Sequence, residues 1–409
     1  MAGVLRRTPS FQQAIIGASA AGRFASSILM GTSLAVIVES QGGNAFAISM
    51  VLMVYFLGLM VFAPVWGAIA DITGRRKFLL LLTGSLATLI ILPLTIAASI
   101  WQLIGIRGLY AIFAAGFAPV MLTIVSERGG EHGRGYEIGL FNSARATGFA
   151  SGQLSVGILL GYFVNDILYL FIAGISLFAT VVIIFVDDPT ETAPRVSKRA
   201  FLTEIRRRLF PAAGEREHLK SHGLQWLYIG LALRNMTVLG VMSLIPVYLT
   251  ITLGLSTTLM GILLAINPVS QTVFMYFFGR IADNFGRKPL ITLGMGGSAV
   301  FAIVTAGAVL PSSFALRALI AGIALLLIGA SYSAMTTGAI AFIGDVAEEN
   351  RESELMGLRS TAKGVGGVLG PPLVGTYATF TSFSQAFFVG SLLSLIAAIL
   401  VFIFLTPTG

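Results

Sequence analysis

The stretch Gly67-Ala-Ile-Ala-Asp71-Ile-Thr-Gly74-Arg75-Arg76-Lys77 decides the fold, because it occurs twice. It recurs as Gly279-Arg-Ile-Ala-Asp283-Asn-Phe-Gly286-Arg287-Lys288-Pro289, with an offset of 212 residues at every matched position. Each copy lies in a polar break between two long apolar segments. A loop that recurs after half the length of a chain indicates an internal duplication and therefore predicts two similar halves.

A second pair of segments repeats in the same order. Glu127, Gly139, Arg145, Gly148 and Gly152 match Asp345, Gly357, Lys363, Gly366 and Gly370 at a constant offset of 218 residues. Acidic, glycine and basic residues thus keep their order and spacing in both segments. Together the repeats predict a tandem duplication, which is typical of transporters whose binding site lies between two similar halves.

The composition predicts a membrane protein. Of 409 residues, 56% are hydrophobic and 11% are charged, and the mean hydropathy is +0.89, whereas soluble domains carry about 25% charged residues. Apolar segments alternate with polar breaks, and several reach the ~20 residues that a helix needs to cross a bilayer. The fold class is therefore predicted to be all-α, with twelve transmembrane helices at residues 11–38, 45–70, 79–100, 101–125, 137–160, 167–186, 223–250, 256–280, 289–310, 314–343, 355–378 and 384–405.

The distribution of basic residues predicts the orientation in the membrane. Alternate loops, beginning with the N-terminal segment, hold 20 of the 26 Lys and Arg residues, and the opposite loops 40–44, 161–166 and 379–383 hold none. Basic loops stay in the cytoplasm during insertion, so both termini are expected to be cytoplasmic. The protein is expected in a cell membrane, either plasma or inner. Gln12 and Gln13 interrupt the first apolar run, which favours an uncleaved first span over a signal peptide.

Several classes of function are disfavoured by what the sequence lacks. There is no cysteine, and His132, His218 and His222 lie in polar loops, so no metal site or cofactor is expected. No G-x-x-x-x-G-K-[ST] loop is present, which disfavours ATP as the energy source. No paired acid and base share a helix face, so we do not expect an enzyme. The net charge of +8 follows from the basic loops and requires no nucleic-acid partner. We expect a monomer in the lipid bilayer.

The repeated pattern G-x-x-x-D-x-x-G-R-[RK] resembles the signature of the major facilitator superfamily, and the resemblance covers nearly the whole chain. It implies two pseudo-symmetric six-helix bundles at residues 1–186 and 223–409, joined by a cytoplasmic linker at 187–222. The motifs are most similar to those of the drug:proton antiporters. Gly366-Gly367-Val-Leu-Gly370-Pro371-Pro372 is similar to a motif of the family's exporters, although that motif usually lies in the fifth span. Ordinary small-residue packing is the alternative.

We interpret the two repeated loops as a conformational latch. Glycine permits close helix approach and unusual turn geometry. Asp71 is placed to face the positive N-terminus of a helix in the other half; the resemblance implies the eleventh span, and a pair between Arg75 and Glu127. Such contacts are expected only when the cytoplasmic side is closed. The alternative is that the loops only orient the chain. The predicted latch residues are Gly67, Asp71, Gly74, Arg75, Glu127, Gly279, Asp283, Gly286, Arg287 and Asp345.

Basic residues inside the predicted spans are candidates for a substrate or coupling site. At ~1.5 Å per residue, Arg23 and Arg234 are expected near the midplane, and Arg145 and Lys363 lie ~10 Å deep. A charge at such depth costs at least ~2.5 kcal/mol, so each must face a cavity or a partner. Arg107 resembles an intramembrane arginine motif of the same superfamily. The alternative role for these cations is structural, through helix carbonyls or acids at the loop edges.

Uncharged polar residues complete the predicted lining of a central cavity. They are Asn142 in the fifth span, Asn235 in the seventh, Asn267 and Gln271 in the eighth, and Tyr332 in the tenth. Asn267-Pro268 is predicted to break the eighth span, as in many cavity-lining helices. Interhelical hydrogen bonds are the alternative role for each of these side chains.

The predicted function is secondary active transport of small molecules by alternating access. The resemblance favours efflux of amphipathic compounds in exchange for protons, and the cations favour substrates that are neutral or anionic. Uptake or exchange of an organic anion or other metabolite is the alternative within transporters. A non-transporting sensor with the same fold is the alternative outside them.

Overall fold

The computed structural model describes residues 8–163, 165–188, 222–347 and 352–407. The side chains of Glu131, His132, Asn165, Ala282, Asp283, Asn284, Glu352 and Ser353 are not among the described parts. Within these ranges the chain is all-helical, and its twelve α-helices are α1 (Pro9–Ser40), α2 (Ala45–Thr73), α3 (Arg76–Ile91), α4 (Ile100–Ala114), α5 (Phe117–Tyr162), α6 (Asn165–Val182), α7 (Leu224–Val247), α8 (Thr257–Phe285), α9 (Arg287–Gly307), α10 (Phe314–Val346), α11 (Glu352–Phe380) and α12 (Phe383–Phe404).

The fourth and fifth membrane crossings share helix α5. Gly130 has φ 57° and ψ −160°, which is not helical, and it divides α5 into two parts. The fourth crossing is α4 with the first part of α5, over Ile100–Gly130, and the fifth is the remainder of α5. The break between α4 and α5 precedes Pro119, which has no amide hydrogen to donate and is favourably placed in the first turn of a helix. Twelve crossings result, and the predicted fold class is confirmed.

Two crossings are less apolar than the others. Ten helices within the described residues are long and apolar enough to span a membrane, and the fifth crossing and α11 are not among them. Both carry polar residues in their middle, including Arg145 and Lys363. Both also pack against protein on more than one side: α5 contacts α1 and α8, and α11 contacts α7 and α2. Their lower hydropathy therefore reflects helices that face other helices more than lipid.

The two halves have the same packing scheme. In the first half α1 packs against α5 and α6, and α2 packs against α4. In the second half α7 packs against α11 and α12, and α8 packs against α10. Equivalent helices therefore make equivalent contacts, as the repeats predict. The limits 1–186, 187–222 and 223–409 remain a prediction, because residues 189–221 lie outside the described part of the chain.

Glycines set the closest helix contacts inside each half. A Cβ atom on Gly148 would press on the backbone of Ala21 in α1, and one on Gly370 would press on the backbone of Met236 in α7. Helix α11 continues through Pro371 and Pro372 without a break. The glycines of this segment thus serve close packing between α7 and α11, as small residues do in other membrane proteins.

The halves touch each other on one side of the membrane. We call the side on which α1 begins, α12 ends and the two repeated loops lie the basic face, and the other side the opposite face. Near the opposite face, the backbone N–H of Phe46 in α2 donates to Thr379 Oγ1 in α11 at 3.1 Å. Gly157 of α5 likewise lies against Gly261 of α8. We call these two helix contacts, α2–α11 and α5–α8, the seam.

The halves are separated on the basic face. A Cβ atom built on Gly279 or Gly357 would have no neighbour within 4 Å, and one on Gly67 would meet only Pro119 of its own half. The seam reaches inward as far as Gly364 of α11, which packs on Met60 of α2. From these contacts we infer that the described residues enclose a cavity that is open to the basic face and closed by the seam.

Candidate functional site

Lys363 lies at the inner end of the open cavity. It precedes Gly364, where the seam begins, so its side chain is near the deepest point that water from the basic face can reach. The side chain is exposed to solvent although many protein atoms surround it. A side chain that is surrounded by protein and still reaches solvent is expected in a water-filled cavity. Contact with this water avoids the cost of burying the ammonium group of Lys363 in an apolar environment.

Three further polar residues lie around Lys363. Tyr332 of α10 is close enough to interact electrostatically with Lys363, with Arg359 one turn before it in α11, and with Arg145 of α5. Arg145 comes from the first half and the other three come from the second. Two of the predicted site cations, Arg145 and Lys363, therefore meet at one tyrosine, with contributions from both halves.

The predicted amide residues are partly exposed near this cavity. Asn142 lies one helical turn before Arg145 in α5 and is half-buried. In α8 the amide nitrogen of Gln271 donates to Asn267 Oδ1 at 2.8 Å, so this pair satisfies part of its own hydrogen-bonding capacity. The predicted break at Asn267-Pro268 is wrong: α8 runs continuously from Thr257 to Phe285 with Pro268 inside it.

Arg234 is buried beside the cavity rather than in it. Its Nε donates to Ser298 Oγ of α9 at 2.8 Å, and its Nη1 donates to Asn235 Oδ1 at 3.3 Å. Its Cζ lies 5.6 Å from the centroid of the Tyr332 ring. Asn235 in turn donates to the Leu231 carbonyl, so both predicted residues are held by partners of the second half. Arg234 can therefore act on the cavity through the tyrosine, without direct exposure.

Arg23 lies inside the first half and not in the cavity between the halves. It is 3% exposed. Its Nη1 donates to Ser176 Oγ at 2.8 Å, and its Nη2 donates to Thr180 Oγ1 at 2.5 Å, both from α6. The hydroxyl groups that accept hydrogen bonds from Arg23 are more than 150 residues away in sequence. The position of Arg23 along α1 therefore did not reveal that its side chain points towards α6.

Arg107 is also enclosed within the first half. It is 2% exposed, and its Cζ lies 4.2 Å from the ring centroid of Tyr55 and 5.3 Å from that of Tyr110. Gly31 of α1 leaves room for it, since a Cβ there would come within 2.9 Å of Nη2. The predicted cations thus form two groups, one at the cavity and one inside the first half.

The repeated loops carry ion pairs in both halves, with one difference from the prediction. Arg76 Nη1 lies 2.5 Å from Glu127 Oε2, so Arg76 takes the place predicted for Arg75, which is exposed. In the second half Arg287 Nε lies 2.9 Å from Asp345 Oδ2, as expected. Arg76 and Arg287 are each the first residue of their helix, α3 or α9. The position in the helix, not the position in the motif, therefore determines which arginine reaches the carboxylate.

The turn glycines explain this shift of one residue. Gly74 is left-handed at φ 62°, ψ 8°, and Arg75 follows it as the cap of α3. Gly286 has φ 83° and ψ 153° and is itself the cap of α9. Both conformations favour glycine, because a side chain is strained at positive φ. The second helix therefore starts one residue earlier in the motif.

The ion pairs at the loops are present while the basic face is open. The prediction that such contacts exist only in the closed state is therefore wrong for the pairs within each half. Asp71 Oδ1 lies 4.0 Å from Arg76 Nη2 of its own half, and its contact with the N-terminus of the eleventh span remains a prediction for a closed state. The close approach expected at Gly67 and Gly279 is absent here because both lie on the open face. The side chain of Asp283 is outside the described residues.

Sequence reasoning missed two tyrosines and one acidic cap. Tyr55 and Tyr110 lie in strongly apolar segments, where an aromatic residue gives no signal of polar contact. Asp188 Oδ2 accepts the backbone N–H of Lys77 at 3.1 Å, at the N-terminus of α3. A carboxylate there compensates for basic residues at the positive end of the helix. The acidic Asp187-Asp188 pair directly after the sixth span was the available signal.

The sequence matches a known family of membrane proteins. The sequence model of the Major Facilitator Superfamily matches residues 15–314 and residues 227–409. A multi-drug resistance efflux pump PmrA homologue from Lactococcus lactis subsp. lactis (strain IL1403) is 23% identical over 371 residues, which cover 89% of this chain and 84% of that protein.

The fold also matches solved structures of transporters. A bacterial homologue of the human lysosomal transporter Spinster, in an inward-facing and unoccupied conformation, has a TM-score of 0.76 at 16% identity, covering 97% of both chains. The nucleoside transporter NupG has a TM-score of 0.76 at 11% identity, covering 97% of this chain and 100% of that one. At such identities the likeness shows the fold alone.

Proposed function

The chain belongs to the Major Facilitator Superfamily, and we propose that it exports small amphipathic molecules of neutral or negative charge, in exchange for protons. Family membership makes it an integral membrane transporter of the plasma membrane and not an enzyme. The direction of transport, the coupling ion and the charge of the substrate are the proposed parts. The description of the Lactococcus relative as an efflux pump supports export.

The single observation that carries the charge preference is the group of Lys363, Arg145 and Tyr332. Lys363 is open to the cavity, and both cations act on the same phenol ring. At an effective dielectric constant of ~20, an anion 4 Å from one such charge gains ~4 kcal/mol before desolvation. A permanently cationic molecule would be disfavoured by a comparable amount. The lining therefore selects against quaternary ammonium compounds.

Alternating access requires the two faces to exchange roles. We propose that the basic face is cytoplasmic, as the loop charges predict, so the present state would load substrate from the cytoplasm. Opening to the outside then separates α2 from α11 and α5 from α8 at the seam. Closing the basic face brings Asp71 towards the N-terminus of α11, where the helix dipole favours a carboxylate.

Proton coupling rests on the resemblance to drug:proton antiporters. Each cation has its nearest acidic residue on the same helix at a distance. Glu354 precedes Lys363 by nine residues and Glu137 precedes Arg145 by eight, which at 1.5 Å per residue is more than ~10 Å along the helix axis. Lys363 and Tyr332 are therefore the titratable side chains available at the cavity end within the described residues. A proton released or bound there would change the charge that the substrate meets.

A flux experiment on reconstituted protein tests the proposal. Proteoliposomes would be loaded with an anionic, a neutral or a quaternary ammonium dye, with the pH gradient set in both directions. We expect transport of the first two dyes, driven by the gradient, and at least tenfold slower anion transport for Lys363→Gln, with the neutral dye spared. Arg317→Gln is the matched control, since Arg317 bonds the Pro311 carbonyl near the opposite face. Quaternary ammonium transport equal to anion transport would contradict the charge selection.

The same cations favour a second candidate function, uptake or exchange of an organic anion or other metabolite. The flux assay separates the two, because an exchanger accelerates labelled anion movement when unlabelled anion is present on the other side, without a pH gradient. A non-transporting sensor would show no flux with any dye or anion in the panel.

A further inference from the structure

A second group of polar residues lies inside the first half and is not used by the proposed transport cycle. It consists of Arg23, Arg107, Tyr55 and Tyr110, which we call the interior cluster. Arg107 lies over the Tyr55 and Tyr110 rings, and Arg23 is close enough to interact electrostatically with the same two tyrosines. Arg23, Arg107 and Tyr110 are each at most 3% exposed. Two buried positive charges thus act on the same two tyrosines.

The donors of this cluster are incompletely satisfied. Nε and Nη1 of Arg107 and Nε of Arg23 are buried and have no hydrogen-bond partner among the described residues, while the buried Tyr110 hydroxyl lies next to the Arg23 guanidinium. The Tyr55 oxygen accepts a hydrogen bond from Ser27, so its own hydrogen is available to donate. A buried donor without an acceptor is destabilising, and more so when it is charged. The cluster therefore presents more donors than the nearby acceptors satisfy.

The cluster also lacks a counter-charge. In the described part of the chain, no Asp or Glu oxygen lies within 4.0 Å of the guanidinium of Arg23 or Arg107. Contact with aromatic faces stabilises a desolvated cation, but by less than the burial of an ion costs. Water would supply acceptors but would leave both charges uncompensated.

We propose that the interior cluster binds one small monovalent inorganic anion, such as chloride, as a resident counter-ion that is not transported. Guanidinium N–H and phenol O–H groups are donors that suit such an anion. The site is specific to the first half. The residue 212 positions after Arg107 is Leu319, and the nearby Arg317 is bonded to a carbonyl outside α10.

Anion binding to the purified full-length protein tests this site directly. We expect about one radiolabelled chloride ion per chain, and a thermal unfolding temperature several degrees higher in chloride or bromide than in gluconate at equal ionic strength, since a ligand that binds only the folded state stabilises it. Arg107→Gln is expected to weaken chloride binding at least tenfold, and Arg317→Gln to leave it unchanged. Tyr110→Phe removes a single donor and should weaken binding several-fold even if Arg107→Gln does not fold.

Two outcomes would overturn the proposal. Absence of chloride binding in the parent protein would show that the cluster is hydrated only. Displacement of chloride by an anionic transport substrate would show that the cluster is part of the substrate site. Lys363→Gln separates this proposal from the transport proposal, because it should retain chloride binding whether or not it alters flux.

Discussion

The two halves place their buried positive charges in different surroundings. In the first half, Arg23 and Arg107 are enclosed by hydroxyl groups and aromatic rings within the bundle. In the second half, Arg234 is buried against Tyr332, and Lys363 beyond it is open to the cavity. The duplication has preserved helix packing, while the side chains have diverged. The comparison indicates that the first half encloses Arg23 and Arg107 but presents Arg145 to the cavity. The second half directs Lys363 at the cavity and holds Arg234 behind Tyr332.

The backbone itself gives the strongest test of this comparison, because it is the part that the halves share. Gly148→Ala and Gly370→Ala should each destabilise the protein by about 1–3 kcal/mol, since the new Cβ would press on the backbone of α1 or α7. Thermal unfolding in detergent measures the effect.

Gly105→Ala and Gly174→Ala are the controls for these two variants, because a Cβ at either position has no neighbour within 4 Å. Equal stability of Gly370→Ala and Gly105→Ala would show that the close contact between α7 and α11 is not required. The equivalent packing of the two halves would then not contribute measurably to stability.

Substitutions of Arg23 and Arg234 should have different effects, one on stability and the other on transport. Arg23→Gln should lower the unfolding temperature and leave the preference between anionic and neutral dyes unchanged, because Arg23 is held by hydroxyl groups of α6 and α4 inside the first half. Arg234→Gln should reduce anion flux several-fold, through the loss of a charge beside Tyr332. The ratio of anionic to neutral dye flux is the measurement. A change of dye preference in Arg23→Gln, with none in Arg234→Gln, would assign the cavity role to Arg23 and the structural role to Arg234.

The loop arginines give a smaller effect and test the role of helix position. Arg76→Gln should slow transport about two- to threefold and Arg75→Gln should not, because only Arg76 reaches Glu127. Half-exposed ion pairs contribute about 0.2–1 kcal/mol, which limits the change. Initial flux rates at saturating substrate measure it. A larger effect of Arg75→Gln would indicate that a different pairing forms in another state of the cycle.

Asp71→Asn is expected to have the smallest effect on stability while shifting the balance between the two states. Asp71 is 45% exposed in the present open state, so its predicted contact with α11 contributes only when the basic face closes. Labelling of single cysteines introduced into this cysteine-free chain on the basic face would report the balance. Identical labelling rates in Asp71→Asn and the parent protein would show that the loop after α2 only orients the chain in the membrane.

The sequence predicted the fold well because the fold depends on features that repeat along the chain. Apolar length gave the twelve crossings, and the offsets of 212 and 218 gave the two halves. The similar depth of Arg145 and Lys363 followed from their matched positions in equivalent helices. These features are local or periodic, so no three-dimensional information was needed.

The errors concern the direction in which side chains point. Arg23 was expected near the cavity, but its partners Ser176 and Thr180 belong to a helix distant in sequence. Arg75 was expected to pair with Glu127, but the conformation of Gly74 starts α3 one residue later. Proline was expected to break α8, but a long membrane helix tolerates Pro268, since neighbouring groups satisfy the freed backbone. The first and third errors reflect surroundings formed by other helices, and the second reflects the local conformation of a turn.

The one-sided seam also has an electrical consequence. Water in the open cavity is nearly at the potential of the basic face, so most of the membrane voltage falls across the closed layer formed by the seam contacts α2–α11 and α5–α8. When the opening changes sides, Arg145 and Lys363 pass from one potential to the other although they scarcely move. Each charge contributes about 2.3 kcal/mol per 100 mV. With a cytoplasmic basic face, a negative interior would hold the empty carrier open to the cytoplasm, and a bound anion would cancel part of that bias and release the carrier to turn outward.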